Sequence, residues 1–170
     1  REDVAARLPG ILARLNPGGA RGSGGAMSAT SRAWIDAIQA ALGPNTSEAG
    51  RIQAAERAVT IARNAEWQDT WLGFSFFALG RPTLSRDADR SVQAFQTAAS
   101  IFERVAPGGI QSAHVDMQLA AFSLSAGRAD EALRLTSRAL PAATRAENAA
   151  LLATLQMIRA EALDDVGRAA

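Results

Sequence analysis

The 170-residue chain contains no cysteine, no lysine and no tyrosine, and its one histidine is His114. Without cysteine there is no disulfide and no thiolate metal site. Without lysine there is no phosphate-binding loop of the Walker type, so the glycines from Gly18 to Gly25 read as linker rather than nucleotide cradle. A single histidine rules out a His-Glu-x-x-His zinc motif; a zinc site at His114 would need three carboxylates beside it. Asp116, two residues on, faces another side of a helix. No Gly-x-Ser-x-Gly elbow occurs. No apolar run approaches the roughly 18 residues of a membrane span, and no signal-peptide core is present.

What is present is globular in composition. Hydrophobic residues make up 48% of the chain, much of it Ala, and charged residues only 21%, which argues against disorder. The 18 basic residues are all Arg and stand among 17 acids. They are spread along the chain, whereas a nucleic-acid binder concentrates positive charge on one face. No nucleic-acid or membrane partner is therefore expected, despite an isoelectric point near 9.1. The Ala/Arg bias reads as the genome composition of a GC-rich bacterium, and the expected location is cytoplasmic. The best carboxylate cluster is Glu161 with Asp164-Asp165. Acid–base pairs need a cleft and separated pKa values, so this cluster reads as a solvated helix face, as do Glu131, Arg134 and Arg138. No catalysis, cofactor or metal is expected.

Hydrophobic spacing and breakers divide the chain into three parts. Residues 1–16 hold an amphipathic helix over 3–15, with Val4, Leu8, Ile11, Leu12 and Leu15 on one stripe. Pro9 removes one internal hydrogen bond, and Asn16-Pro17-Gly18 ends the helix. Residues 17–26 are a Gly/Ser-rich tether. Gly-Ser-Gly followed by Gly-Ala-Met resembles a cloning joint, so residues 1 to about 22 read as a peptide fused to a domain beginning at Met27. The competing reading is a native N-terminal helix with a Gly-rich loop. Residues 27–170 form the main domain, with seven helices expected at about 30–42, 48–64, 66–79, 88–105, 110–126, 129–142 and 146–166. Gly43-Pro44-Asn45, Gly80-Arg81-Pro82, Pro107-Gly108-Gly109 and Gly127 separate most of them. Period-2 alternation is absent, so no strand is expected.

Part of this pattern repeats. Leu119-Ala120, Gly127, Ala132 and Ala139-Leu140 place small residues on both helices of a pair, with a Gly stop between them. Trp71-Leu72-Gly73, Phe76 and Gly80 form a second first helix, with about nine inserted residues before Ala94-Phe95. Arg159-Ala160 and Gly167-Arg168 form a third. The stretch over roughly 50–170 resembles degenerate tetratricopeptide repeats, although the turn glycines lie 47 and 40 residues apart rather than the family's 34. The resemblance implies an all-α solenoid of stacked antiparallel helix pairs, a turn at Gly167, and a continuing chain.

It also implies a concave groove lined by the first helix of each pair. Counting back from the glycines puts Trp67, Thr70, Phe74 and Phe77 in that groove, then His114, Met117, Ala121 and Leu124, then Thr154, Met157, Glu161 and Asp164. The groove is apolar in its middle and acidic at one end, which suits a basic amphipathic helix. The competing reading is that its aromatics are core, covered by the neighbouring pair. The N-terminal helix fits as an occupant: its apolar stripe would enter the groove, and Arg7 or Arg14 would approach Glu161, Asp164 or Asp165. Residues 1–26 carry four Arg and two acids, against 14 Arg and 15 acids in 27–170. Alternatively, that helix caps the domain on Trp34, Ile35 and Ile38. The expected function is a scaffold that binds a protein or peptide helix. The alternative is a sensory or oligomerising part of a bacterial transcription regulator or signalling ATPase.

Overall fold

The computed structural model describes residues 28–66 and 69–169, and among these the only regular elements are α-helices. They are α1 (Ala29–Leu42), α2 (Glu48–Asn64), α3 (Thr70–Thr83), α4 (Ala88–Val105), α5 (Ile110–Ser125), α6 (Ala129–Arg145) and α7 (Ala149–Ala169). The expected N-terminal helix and tether lie outside the described residues.

Local chemistry starts most of these helices. The side chains of Ser28, Ser47, Asp69 and Asp87 accept hydrogen bonds from first-turn amides of α1 to α4, and Asn148 does so for α7. Each satisfies one of the N–H groups a helix leaves orphaned. Gly127 ends α5 at φ +71°. The Arg128 amide donates back to Ser123 O and the Gly127 amide to Leu124 O, a Schellman closure that suits glycine.

Three expected boundaries need correction. The expected 66–79 helix runs from Thr70 to Thr83, so Gly80-Arg81-Pro82 does not break it. Pro82 offers no amide to the preceding turn. Hydroxyls satisfy the neighbouring carbonyls instead: Thr83 Oγ1 donates to Leu79 O at 2.7 Å, and Ser91 Oγ to Gly80 O at 2.7 Å. The sixth helix passes through Pro141 to Arg145. Gly167 lies inside α7 rather than at a turn.

The corrected boundaries uncover a longer period. α1, α3, α5 and α7 begin at residues 29, 70, 110 and 149, and α2, α4 and α6 at 48, 88 and 129. A helix pair thus recurs about every 40 residues. Each helix packs on the next in sequence, and α1 also touches α3, as α5 touches α7.

Packing follows small residues seven positions apart. Gly73 and Gly80 lie on one face of α3, and Phe102 and Phe95, also seven apart, lie on α4. A Cβ on Gly73 would stand 2.6 Å from the Phe102 ring, and one on Gly80 2.7 Å from the Phe95 ring. The rings therefore occupy the space a side chain would take. Forty residues on, Ala113 and Ala120 of α5 are 1% and 0% exposed. They pack with Ala139, Ala142 and Ala143, and with Ala132 and Leu135, of α6.

The first three helices close around Trp34, which is wholly buried. Its indole N–H donates to Ser75 Oγ at 2.8 Å, and that hydroxyl donates to Trp71 O at 2.9 Å. The two indoles meet edge to face, with centroids 4.7 Å apart.

Gly80→Ala should destabilise the fold by about 1–3 kcal/mol, because the new methyl forces the Phe95 ring to move. Chemical denaturation measures this; an unchanged midpoint would mean that α3 and α4 can separate without loss.

Candidate functional site

Most of the expected groove residues fall on the less buried arc of their helices. Thr70, Phe74 and Phe77 are half-buried on α3, and His114, Met117 and Leu124 are half-buried on α5, where Ala121 is exposed. On α7, Met157 is 58% exposed, Glu161 and Asp164 are exposed, and Thr154 is half-buried. Trp67 lies outside the described residues, as do Val4, Arg7, Leu8, Ile11, Leu12 and Leu15.

These residues do not form one continuous cluster. Phe74 meets Phe102 edge to face at 5.3 Å, and Phe77 meets Phe95 at 5.7 Å, so both rings take part in the α3–α4 core with Val115 of α5. That packing covers one side of each ring and leaves each residue half-accessible. Met117 and Leu124 pack instead against a cluster that joins α5 to Leu135 of α6 and to Ile158 and Ala162 of α7. His114 sits between the two groups in sequence. Burial holds its imidazole below the usual pKa of 6.5, because the charged form loses hydration.

One polar pair departs from the expected solvated surface. Asp116 is 2% exposed, and Arg138 of α6 grips it with two hydrogen bonds, Nε to Oδ2 at 2.7 Å and Nη2 to Oδ1. Arg138 is therefore not simply solvated surface: it neutralises a buried carboxylate and pins α5 to α6. The Asp116–Arg138 bond spans 22 positions, and the acid stands in sequence between the polar residues His114 and Gln118, so no local signal marks it as buried. Glu131 and Arg134 do form an exposed surface pair at 2.6 Å. Trp34 and Ile38 are buried within α1–α3 and Ile35 packs against the same core.

Shallow, open depressions are lined by Arg32, Asp36 and Arg57 between α1 and α2, and by Gln93, Thr97 and Arg104 along α4. Among the described residues no group of three or more His, Asp or Glu side chains is arranged to hold a metal ion. No described helix is long and apolar enough to cross a membrane. No family model matches the chain, and no curated protein or solved structure matches it significantly.

Arg138→Ala leaves the Asp116 carboxylate buried without its partner. It should destabilise by about 1–3 kcal/mol, less than a fully buried pair because Arg138 itself is 54% exposed; urea melts of the single and double variants test it. His114 gives a pH dependence of known sign. The unfolded chain takes up the proton more readily than the folded one, so stability should fall as pH drops below 6.5 toward the lower folded value. His114→Gln should flatten that part of the profile, measured as Tm between pH 7.5 and 5.

Proposed function

We propose that the chain is a tetratricopeptide-like helical scaffold that binds an amphipathic, basic helix along the face formed by α1, α3, α5 and α7. Two observations support the repeat reading: helix pairs recur about every 40 residues, and two of them, α3–α4 and α5–α6, close over small residues seven apart. The period exceeds the family's 34, so the likeness concerns the pairing logic rather than the repeat length.

The observation that carries the binding reading is Met157. A large apolar side chain 58% exposed stands one helical turn from Glu161, and it is available to a partner's apolar surface. Thioether side chains adapt to irregular partners. Half-buried Met117 and Leu124 on α5, and Phe77 and Phe74 on α3, extend the apolar character along the same series of helices. Glu161, Asp164 and Asp165 supply negative charge at one end. Exposed ion pairs contribute about 0–1 kcal/mol each, so the acids orient a ligand and the apolar side chains hold it.

The test uses the full chain and a fluorescein-labelled, 18-residue model helix of Leu and Arg, with Leu at helix-stripe spacing. Binding should be saturable. Met157→Arg should weaken it by at least about tenfold with Tm unchanged, because Met157 contributes little to the core. Affinity equal in wild type and Met157→Arg, or no binding at all, would remove the basis for this reading.

A further inference from the structure

The 40-residue period puts equivalent positions of successive repeats in register, and two sets of those positions differ in a way that bears on ligand choice. Ser75, Val115 and Leu155, forty residues apart on α3, α5 and α7, are each 0% exposed, which fixes the register of the three helices. Two residues on, Phe77, Met117 and Met157 form an apolar row; the first two are half-buried and the third is exposed. Four residues beyond that row, on the same side of each helix, Arg81, Ala121 and Glu161 are all exposed. This second row runs from a cation on α3, past a methyl group on α5, to a carboxylate on α7. Asp165, one turn past Glu161, is exposed too. Among the described residues Arg81, Glu161 and Asp165 take part in no ion pair or side-chain hydrogen bond.

The helices that carry the rows are neighbours. Phe74 and Phe77 of α3 share an apolar cluster with Val115 and Leu119 of α5. Ala113 clusters with Leu151 and Leu155 of α7, and Ala120 with Ile158 and Ala162, so α5 and α7 point the same way. Gly73 against Phe102 and Gly80 against Phe95 run α3 antiparallel to α4, and the short 106–109 connection turns α4 back into α5. Counted from the helix starts at 29 and 70, Asp36 of α1 stands level with Phe77, so the apolar row begins at α3.

We propose that this face selects a charge-polarised amphipathic helix, with acidic residues at its N-terminal end over Arg81 and basic residues at its C-terminal end over Glu161 and Asp165. This rests on the helix-binding reading above and adds to it the sequence polarity and the direction of the ligand. The apolar row makes similar contact with any ligand that has an apolar stripe. The charged row tells such ligands apart, because an acid over Arg81 is attracted and a base there is repelled. Direction follows from the ligand's own chemistry. Acids at a helix N-terminus and bases at its C-terminus stabilise it against its dipole. Laid with its N-terminus on α3, such a helix finds opposite charge at both ends; laid the other way, it meets like charge at both. At least two helix-to-helix steps of about 8–10 Å separate α3 from α7, and an 18-residue helix, about 27 Å long, spans them.

Two fluorescein-labelled 18-residue helices with the same Leu stripe test this on the full chain. One carries Glu in its first two turns and Arg in its last two; the other carries Arg throughout. At low ionic strength the polarised helix should bind at least about threefold tighter. Arg81→Glu should reverse that order with Tm unchanged, which separates contact with Arg81 from a difference in the ligands' own helicity. Arg81→Gln, which removes the charge and adds none, should give a ratio between the two. A nitroxide on the N-terminus of the polarised helix should broaden the Phe77 and Arg81 amide resonances more than those of Met157 and Glu161, and one on its C-terminus should do the opposite. Equal affinities for the two helices, an order that neither Arg81 variant changes, or the opposite broadening pattern overturns the proposal and leaves the helix-binding reading standing. If neither helix binds saturably, that reading fails and the proposal falls with it.

Discussion

The close crossing of helices over residues without side-chain bulk is the constraint on which the rest of the structure depends. A helix pair is held by the area it buries and by how near the axes come. In α3 and α4 the near approach is made by two glycines that accept two phenylalanine rings. In α5 and α6 alanine meets alanine at the equivalent places. The first solution buries large aromatic surface in a chain with few aromatics. The second brings backbones together and relies on many small contacts. Both tolerate little growth, because a methyl group added at a filled position must displace a ring or a helix.

A core built from small residues brings the backbone close to every buried side chain, and the polar groups of the interior use this. Thr83, Ser91 and Thr136 are buried, and their hydroxyls all donate to backbone carbonyls. Ser75 accepts from Trp34 while donating to Trp71 O. The Thr83, Thr136 and Ser75 donations stay within one helical turn, whereas Ser91 reaches the preceding helix and Trp34 bonds across 41 positions. Asp116 differs, because a carboxylate cannot be satisfied by carbonyl acceptors. It requires donors, and Arg138 reaches in from the solvent side to supply two of them with its charge. The pair fixes the register of α5 against α6, where uniform alanine contacts alone would permit sliding.

Helix content and most boundaries were legible in the sequence, because capping residues and 3.6-residue periodicity are local signals. The end of α3 was not. Gly80 and Pro82 look like punctuation, yet Gly80 is small because Phe95 lies against it, and Ser91 and Thr83 satisfy the carbonyls around Pro82. That same misreading hid the 40-residue period, since the true turn glycine, Gly127, has no counterpart at position 80 or 167. The candidate face was partly legible. Its positions follow from helical spacing, but how far Phe74 and Phe77 sink into the α3–α4 core depends on Phe102 and Phe95, about 20 to 30 residues away. The Asp116–Arg138 pair was not legible at all, because surface and buried-pair arginines have the same local pattern.

The two solutions to helix crossing meet between α4 and α5, the lightest interface between consecutive helices. Val115 and Leu119 are the residues of α5 that enter the phenylalanine cluster. Polar contacts gather at the connecting loop. Glu103 of α4 accepts from the Gly108 amide at 3.2 Å, and Arg145, at the far end of α6, donates to Gly108 O at 2.8 Å. Gly108 takes φ +62°, a conformation that glycine adopts without strain. One peptide is thus held from both sides, by the helix before it and by the helix two places after it. The arrangement compensates for a small apolar contact by fixing the loop that sets the angle between the two halves. The aromatic half and the alanine half thus meet through a small apolar contact and through the held loop beside it.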